Sequence, residues 1–93
     1  MRLADNEQLA INQAIHQADA TARIYLFGSR IDDNAQGGDI DLLVLSKKLN
    51  IMDKLNILAQ LHMQLGERKI DIAIYPDTQH PFPRMVVATG VPL

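Results

Sequence analysis

Residues 38–45, with the sequence Gly-Asp-Ile-Asp-Leu-Leu-Val-Leu, decide the fold of this chain. The unbroken apolar run after Asp41 is typical of a strand that is buried in a sheet. Successive side chains of a strand point to opposite faces, so Asp39 and Asp41 share one face, with Cα atoms about 6.5–7 Å apart. The other face carries Ile40, Leu42 and Val44. We therefore expect residues 39–45 to form a strand that presents two carboxylates on one side.

Two further apolar segments flank this strand in the sequence. Residues 23–27, Arg-Ile-Tyr-Leu-Phe, favour a strand that ends at Gly28. Residues 69–75, Lys-Ile-Asp-Ile-Ala-Ile-Tyr, alternate and place Asp71 on the face opposite the isoleucines. If the strand of Asp71 lies beside residues 39–45, its carboxylate converges with the first two.

The three aspartates favour a metal site. Carboxylate oxygens are hard ligands that suit Mg²⁺ or Mn²⁺ better than zinc. Paired metal ions in nucleotide-transferring enzymes lie about 3.5–4 Å apart, and Asp39 and Asp41 can share such ions. Without a cation, the clustered charges would repel one another and raise at least one pKa. The alternative is structural: Asp39 caps a loop, Asp41 lies exposed at a sheet edge, and Asp71 marks an outward face.

A Gly28-Ser29 pair after a strand has the features of a phosphate-binding turn. Glycine lets a phosphate approach the backbone closely, serine offers a hydroxyl, and a helix that begins at Ser29 would add free amide donors. In isolation such a pair is most often only a turn. We expect residues 29–38 to form a short helical turn followed by a loop.

Helical spacing of apolar residues predicts two longer helices. The first covers residues 5–21, with Asp5 or Asn6 as its N-cap. The second covers residues 51–65 and ends at Gly66. Its expected buried residues are Leu55, Leu58, Ala59, Met63 and Leu65.

The C-terminal segment is rich in proline. Pro76, Pro81 and Pro83 predict an extended, irregular path, followed by a single helical turn over residues 84–89. The element order is then helix, strand, short helix, strand, helix, strand, short helix. This order predicts an α+β two-layer domain with a small mixed sheet and helices packed on one face.

Length and composition restrict the function classes. The chain has 93 residues, which suffice for a single domain over residues 1–93 with one modest core. A net charge of -2 and the absence of a long basic block argue against a nucleic-acid partner. The chain has no cysteine, so disulfides and thiolate metal sites are excluded. We expect a cytoplasmic protein without membrane contact, because no apolar run reaches the roughly 20 residues of a span and residues 1–7 lack a signal-peptide core.

The combined motifs resemble those of a known superfamily. Gly28-Ser29-Arg30, then Asp39-Ile40-Asp41, then Asp71 on a later strand is similar to the pattern of the nucleotidyltransferase superfamily of DNA polymerase beta. More narrowly, the chain resembles the minimal nucleotidyltransferases, known as the MNT family. The resemblance covers residues 5–75 and implies a polymerase-beta-like nucleotidyltransferase fold.

The resemblance implies that the turn after the first strand binds a nucleotide. Gly28, Ser29 and Arg30 would contact the phosphates of a nucleoside triphosphate, with ATP as the expected substrate. The role of Arg30 stays open between a phosphate contact and an ion pair with Asp32 or Asp33.

The resemblance also implies that the three aspartates are both catalytic and metal-binding. Asp39 and Asp41 would hold two Mg²⁺ ions, with Mn²⁺ as a possible substitute. Asp71 would complete one metal site and help to activate the attacking hydroxyl. The implied reaction is attack of an acceptor hydroxyl on the α-phosphorus of ATP, with pyrophosphate as the leaving group.

Family resemblance further implies a protein partner. Minimal nucleotidyltransferases are commonly encoded beside a HEPN-domain toxin, an all-helical RNase, and act as its antitoxin by transferring AMP to a tyrosine of the toxin, so the resemblance implies a toxin encoded by a neighbouring gene. One alternative is a binding antitoxin that neutralises the HEPN partner by direct contact. A weaker alternative is transfer to RNA or to a small molecule. A homodimer or a hetero-oligomer is compatible with the sequence.

Overall fold

The computed structural model describes residues 3–28, 39–66 and 68–93. The elements are α1 (Asp5–Ala18), β1 (Arg23–Phe27), β2 (Ile40–Leu45), α2 (Ile51–Leu65), β3 (Ile70–Tyr75), α3 (Pro81–Thr89) and β4 (Val91–Pro92). The α+β prediction is confirmed, and the predicted strands and second helix agree with these bounds to within a residue. The expected turn and loop over residues 29–38 lie outside the described residues. No helix in the described ranges is long and apolar enough to span a membrane.

The four strands form one mixed sheet in the order β3-β2-β1-β4. β2 pairs antiparallel with β1 and parallel with β3. Parallel neighbours need a crossover connection, which α2 supplies. The short strand β4 was not predicted; it pairs antiparallel with β1 and leaves β3 at the opposite edge.

One face of the sheet carries the main core, against which α1 and α2 pack. The strands contribute alternate apolar residues to it, as their sequence periodicity predicted. The principal members are Ile24, Leu26, Ile40, Leu42, Val44, Ile70 and Ile72 from the sheet, with Ile11, Ile15, Ile57 and Leu61 from the helices.

The other face of the sheet carries a smaller apolar cluster. Tyr25, Leu43 and Leu45 pack there with Val86 of α3. The predicted packing of helices on one face therefore holds for α1 and α2, whereas α3 covers the opposite face.

The first helix is shorter than predicted and is capped differently. α1 begins at Asp5, and its N-cap is Ala4 rather than either predicted residue. Glu7 reaches back from the first turn and accepts a hydrogen bond from the N–H of Ala4 at 2.9 Å, as in a capping box. The helix ends at Ala18, because the backbone of Asp19 is extended, with φ -150° and ψ 103°.

The predicted buried face of α2 is wrong. Ile57 and Leu61 are buried, whereas Leu55 and Met63 are 52% and 88% exposed and Ala59 is exposed as well. The other two residues of the expected set lie half-buried at the margin of the core. α2 is apolar around most of its circumference, so periodicity alone does not fix which side faces the core.

The prediction for the C-terminal segment is confirmed in part, because residues 76–80 are irregular and residues 84–89 are helical, but the helix begins three residues earlier than predicted. α3 begins at Pro81 and continues to Thr89. Pro81 and Pro83 both lie in its first turn, where a backbone N–H has no partner within the helix, so proline is well tolerated. The buried Pro83 thus helps to begin the helix that it was expected to prevent.

A buried hydrogen-bond network joins the α1–β1 turn to the β2–α2 turn. The carboxylate of Asp19 accepts from the hydroxyl of Ser46 at 2.6 Å and from the hydroxyl and N–H of Thr21 at 2.8 and 3.0 Å. The Ser46 hydroxyl in turn accepts from the N–H groups of Lys48 and Leu49. These bonds, led by that from Ser46, hold the pKa of Asp19 below its usual value of 3.8.

Because the pKa of Asp19 is lowered on folding, its stabilising effect is complete above pH 3.8 and is lost as the pH falls through the lowered value. We expect Asp19→Asn to lower the Tm at pH 7 by about 4–8 °C, the effect of about one buried hydrogen bond in a domain of this size. The difference from wild type should shrink as the pH falls below 3.8. Thermal unfolding followed by circular dichroism between pH 7 and pH 2.5 measures both effects.

The matched control is Asp77→Asn, since Asp77 accepts a bond from the N–H of Gln79 at an exposed turn. Its Tm should differ little from wild type across the range. A Tm difference for Asp19→Asn that stays constant down to pH 2.5 would contradict the assigned role of the carboxylate charge.

Candidate active site

Phe27, Asp41 and Asp71 lie in one row across three neighbouring strands, and Gly28 directly follows Phe27. Phe27, the last residue of β1, is paired with Asp41 in the antiparallel register. Asp41 is in turn paired with Asp71 in the parallel register of β2 and β3. Neighbouring strands are about 4.8 Å apart, and paired residues point to the same face. The structure therefore brings Asp41 and Asp71 side by side.

Asp41 stands at the centre of the acidic group and is partly buried. Burial is the first cause that raises the pKa of Asp41, followed by the negative charges of Asp71 and Asp39 and by a hydrogen bond with the Asp71 carboxyl. The positive charge of Lys69 acts in the opposite direction. The three aspartates are thus close enough to interact electrostatically, with the repulsion concentrated on the middle one.

Asp39 lies just before β2 and is more exposed than Asp41. Its carboxylate is 3.9 Å from the ammonium group of Lys69, whose side chain is 68% exposed. Lys69 precedes Asp71 by two residues, so both side chains leave the same face of the chain. Sequence reasoning missed Lys69 as a member of the site, although this alternation could have revealed it.

Gly28 is fitted tightly against Asp41. Its φ of +80° is one that L-residues rarely adopt, and a Cβ added there would lie 2.5 Å from Oδ2 of Asp41. A side chain at this position would therefore have to displace the central carboxylate. The other two residues of the predicted phosphate-binding turn, Ser29 and Arg30, lie outside the described residues.

An aromatic group adjoins the acidic row on the same face. Phe27 packs edge-on against Phe82 of α3, with ring centroids 5.5 Å apart. Tyr75 contacts both Phe82 and His80, at 5.7 and 5.8 Å. Phe27 and Phe82 could not be assigned to the site from the sequence, because the β1–β2 register and the position of α3 depend on tertiary packing.

The donor chemistry of the acidic row fits a hard divalent cation. Carboxylate oxygens are the ligands that Mg²⁺ and Mn²⁺ prefer, and a cation would offset the burial and the neighbouring negative charges that raise the pKa of Asp41. Within the described ranges, no three His, Cys, Asp or Glu side chains are already posed to hold an ion. Asp39, Asp41 and Asp71 are the residues that would bind it, after rotation of exposed side chains.

We expect Gly28→Ala to lower stability by about 1 kcal/mol or more, because alanine is strained at positive φ. The added Cβ should also displace Asp41 and reduce the rise in Tm that Mg²⁺ or Mn²⁺ produces in the wild type. Thermal unfolding with and without 5–10 mM metal, roughly the range in which weak sites fill, measures both quantities.

Gly66→Ala is the matched control, since Gly66 has the same φ of +80° but no atom within 4 Å of an added Cβ. It should lose similar stability and keep the metal-dependent rise in Tm. Equal metal responses in the two variants would show that the Gly28–Asp41 contact does not shape the cation site.

Comparison with known proteins agrees with this geometry. The profile of the family described as "Polymerase beta, Nucleotidyltransferase" matches residues 10–93, which is most of the chain. A search of curated proteins finds no match. The matched segment includes all three strands of the acidic row and the helix α2 that connects two of them. The chain therefore belongs to the polymerase beta nucleotidyltransferase family.

Proposed function

We propose that this chain is a Mg²⁺-dependent nucleotidyltransferase that transfers AMP from ATP to a tyrosine hydroxyl of a HEPN-domain toxin, and so acts as an antitoxin. Family membership supports the general reaction of nucleotidyl transfer. The adenylyl group, the toxin partner and the tyrosine acceptor rest on the resemblance of the motifs to the MNT family.

The observation that carries the proposal is the pairing of Asp41 with Asp71 in the β2–β3 register, with Gly28 directly against Asp41. Two adjacent carboxylates that repel each other are unfavourable in a small domain unless a ligand uses them. A glycine that admits no side chain leaves the backbone next to them open to a phosphate.

Each charged residue of the site has a definite role in the proposed reaction. Asp39 and Asp41, with Asp71 completing one metal site, would hold the cation, which would supply charge neutralisation for the triphosphate and the leaving pyrophosphate. Asp71, exposed and in contact with Asp41, accepts the proton of the acceptor hydroxyl. The ammonium group of Lys69 contacts Asp39 in the structure. In the proposed reaction it binds a phosphate oxygen of the nucleotide instead.

In the proposed reaction one bond forms for each bond that breaks, and no further reactant is needed. The acceptor oxygen forms a bond to the α-phosphorus of ATP, and the bond between the α-phosphorus and its bridging oxygen to the β-phosphate breaks. The hydroxyl proton passes to the carboxylate of Asp71, and pyrophosphate carries away the electron pair of the broken bond. The protein contributes by positioning the two reactants and by compensating charge.

The second candidate function is a binding antitoxin that neutralises the HEPN partner by contact alone. The observation in its favour is the 3.9 Å contact of the Asp39 carboxylate with the Lys69 ammonium, which occupies a predicted metal ligand. The two candidates differ in whether neutralisation needs the acidic row.

The test is transfer of label from α-³²P-ATP to the product of the neighbouring gene, in the presence of Mg²⁺. We expect wild type to label this partner and Asp41→Ala to reduce labelling by about 10²–10³-fold or more, the effect of removing one charge-stabilising group from such a site. Asp77→Ala is the control, because Asp77 lies beyond the opposite end of β3.

Each outcome separates the candidates. Label on a tyrosine of the partner with wild type and Asp77→Ala, but not with Asp41→Ala, supports the proposal. A tight complex without label, and full toxin neutralisation by Asp41→Ala, supports the binding antitoxin. Label that appears on tRNA or an aminoglycoside instead contradicts the proposed acceptor.

A further inference from the structure

β3 forms an edge of the sheet, and its outer side has no strand partner in the described part of the chain. Its sequence, Ile-Asp-Ile-Ala-Ile-Tyr, contains neither the proline nor the lysine that commonly protect an edge strand, and Asp71 is its one charged residue. An apolar edge of this length is a template for pairing with another strand.

The direction of the unused hydrogen-bonding groups follows from the contacts of β3 with β2. The carbonyls of Lys69 and Tyr75 accept bonds from the β2 side, from Ile40 and Ser46. Backbone groups alternate in direction along a strand, so the odd-numbered residues of β3 bond to β2. The N–H and C=O groups that point outward belong to Ile70, Ile72 and Ile74.

The helix beside this edge exposes an apolar surface. On α2, Ile51, Met52, Leu55 and Met63 are all at least half exposed, and we refer to these four residues as the α2 stripe. An apolar stripe of this kind on a helix is usually covered by another element. The side of α2 opposite Ile51 faces α1, since Gln60 contacts Gln17 of α1.

Ile51 and Leu55 form the side of the α2 stripe that borders the free edge of β3, whereas Met52 and Met63 lie farther around the helix. Ile51 and Lys54, at the start of α2, line a cavity of about 280 Å³ together with Ile74 of β3. At the other end of the helix, the ring of His62 bonds to the carbonyl of Arg68, two residues before β3. Helical spacing places Leu55 on the same side as Ile51 and His62.

We propose that a second copy of this chain pairs with β3 edge to edge and covers the α2 stripe with its own. The proposal does not depend on the proposed function. Antiparallel pairing about a two-fold axis at Ile72 would unite the two sheets and use every outward backbone group, because Ile70 then faces Ile74 of the second copy. The two α2 helices would lie side by side over the junction.

Charge and side-chain size favour a second copy in this register. Asp71 faces Ala73 of the second copy, so the two Asp71 carboxylates are not directly opposite each other. Lys69 lies opposite Tyr75 and comes near Asp77 of the second copy, which places opposite charges at each end of the paired strands. The arrangement is therefore self-complementary in hydrogen bonding, in apolar surface and in charge.

Sedimentation equilibrium of the full chain tests the association. We expect a wild-type mass of twice the 10.4 kDa of one chain at micromolar concentration, and at least a tenfold weaker association for Leu55→Glu, which puts a charge in the α2 stripe. The control is Leu9→Glu, because Leu9 is similarly exposed but lies on α1. It should leave the association constant unchanged, and circular dichroism should show native folding for both variants.

Amide hydrogen exchange identifies the paired edge directly. In a dimer, the outward N–H groups of Ile72 and Ile74 should exchange at least tenfold more slowly than in monomeric Leu55→Glu. The N–H groups of Asp71 and Ala73 bond to β2 and should be protected equally in both proteins.

Three results would overturn the proposal. The first is a wild-type protein that remains monomeric at about 100 μM, roughly 100 times a micromolar dissociation constant. This result overturns the proposal even if the α2 stripe is found to bind a different protein. The second is a dimer that survives Leu55→Glu. The third is a dimer in which the Ile72 and Ile74 amides exchange as fast as in the monomer.

Discussion

The parallel register between β2 and β3 is the constraint on which the rest of the structure depends. It is set by apolar packing, since Ile40, Leu42 and Ile72 are buried on the face covered by α1 and α2. A shift of β3 by one residue would turn Ile72 outward and bring the carboxylate of Asp71 into the core. The same alternation that builds the core therefore delivers Asp41 and Asp71 to the opposite face as neighbours. The position of the acidic site therefore follows from the packing that stabilises the fold.

The two ends of the sheet have different chemistry. At one end Gly28 and the aspartate row combine an unusual backbone angle with partly buried negative charge, which is unfavourable for stability without a ligand. At the other end the Asp19–Ser46 hydrogen bond ties together the turns that precede β1 and follow β2. The acidic end is thus supported by strands whose far ends are held by the hydrogen bonds of a buried carboxylate. This division is typical of proteins in which a reactive site is carried by a stable scaffold.

Much of this arrangement could be predicted from local sequence, and the failures have definite physical causes. The alternation of aspartate and apolar residues over residues 39–42, and the alternation along β3, indicated both the core face and the acidic face. The buried side of α2 was not predictable, because a helix that is apolar around most of its circumference has no unique inward face and only packing selects Ile57 and Leu61. Pro81 was interpreted as a helix breaker although its missing N–H costs nothing in the first turn. Phe27 beside Asp41 depends on the β1–β2 register, which the sequence between these strands does not specify.

The central claim is that the β2–β3 register and Gly28 build one cation site. Paramagnetic broadening by Mn²⁺ of the backbone amide resonances of the wild-type protein tests it most directly, since broadening reports proximity to the ion. The account predicts selective broadening of Gly28, Asp41 and Asp71 at low Mn²⁺, with Asp77 at the opposite end of β3 unaffected. Broadening that is absent, or equal at Asp77 and Asp41, would contradict it.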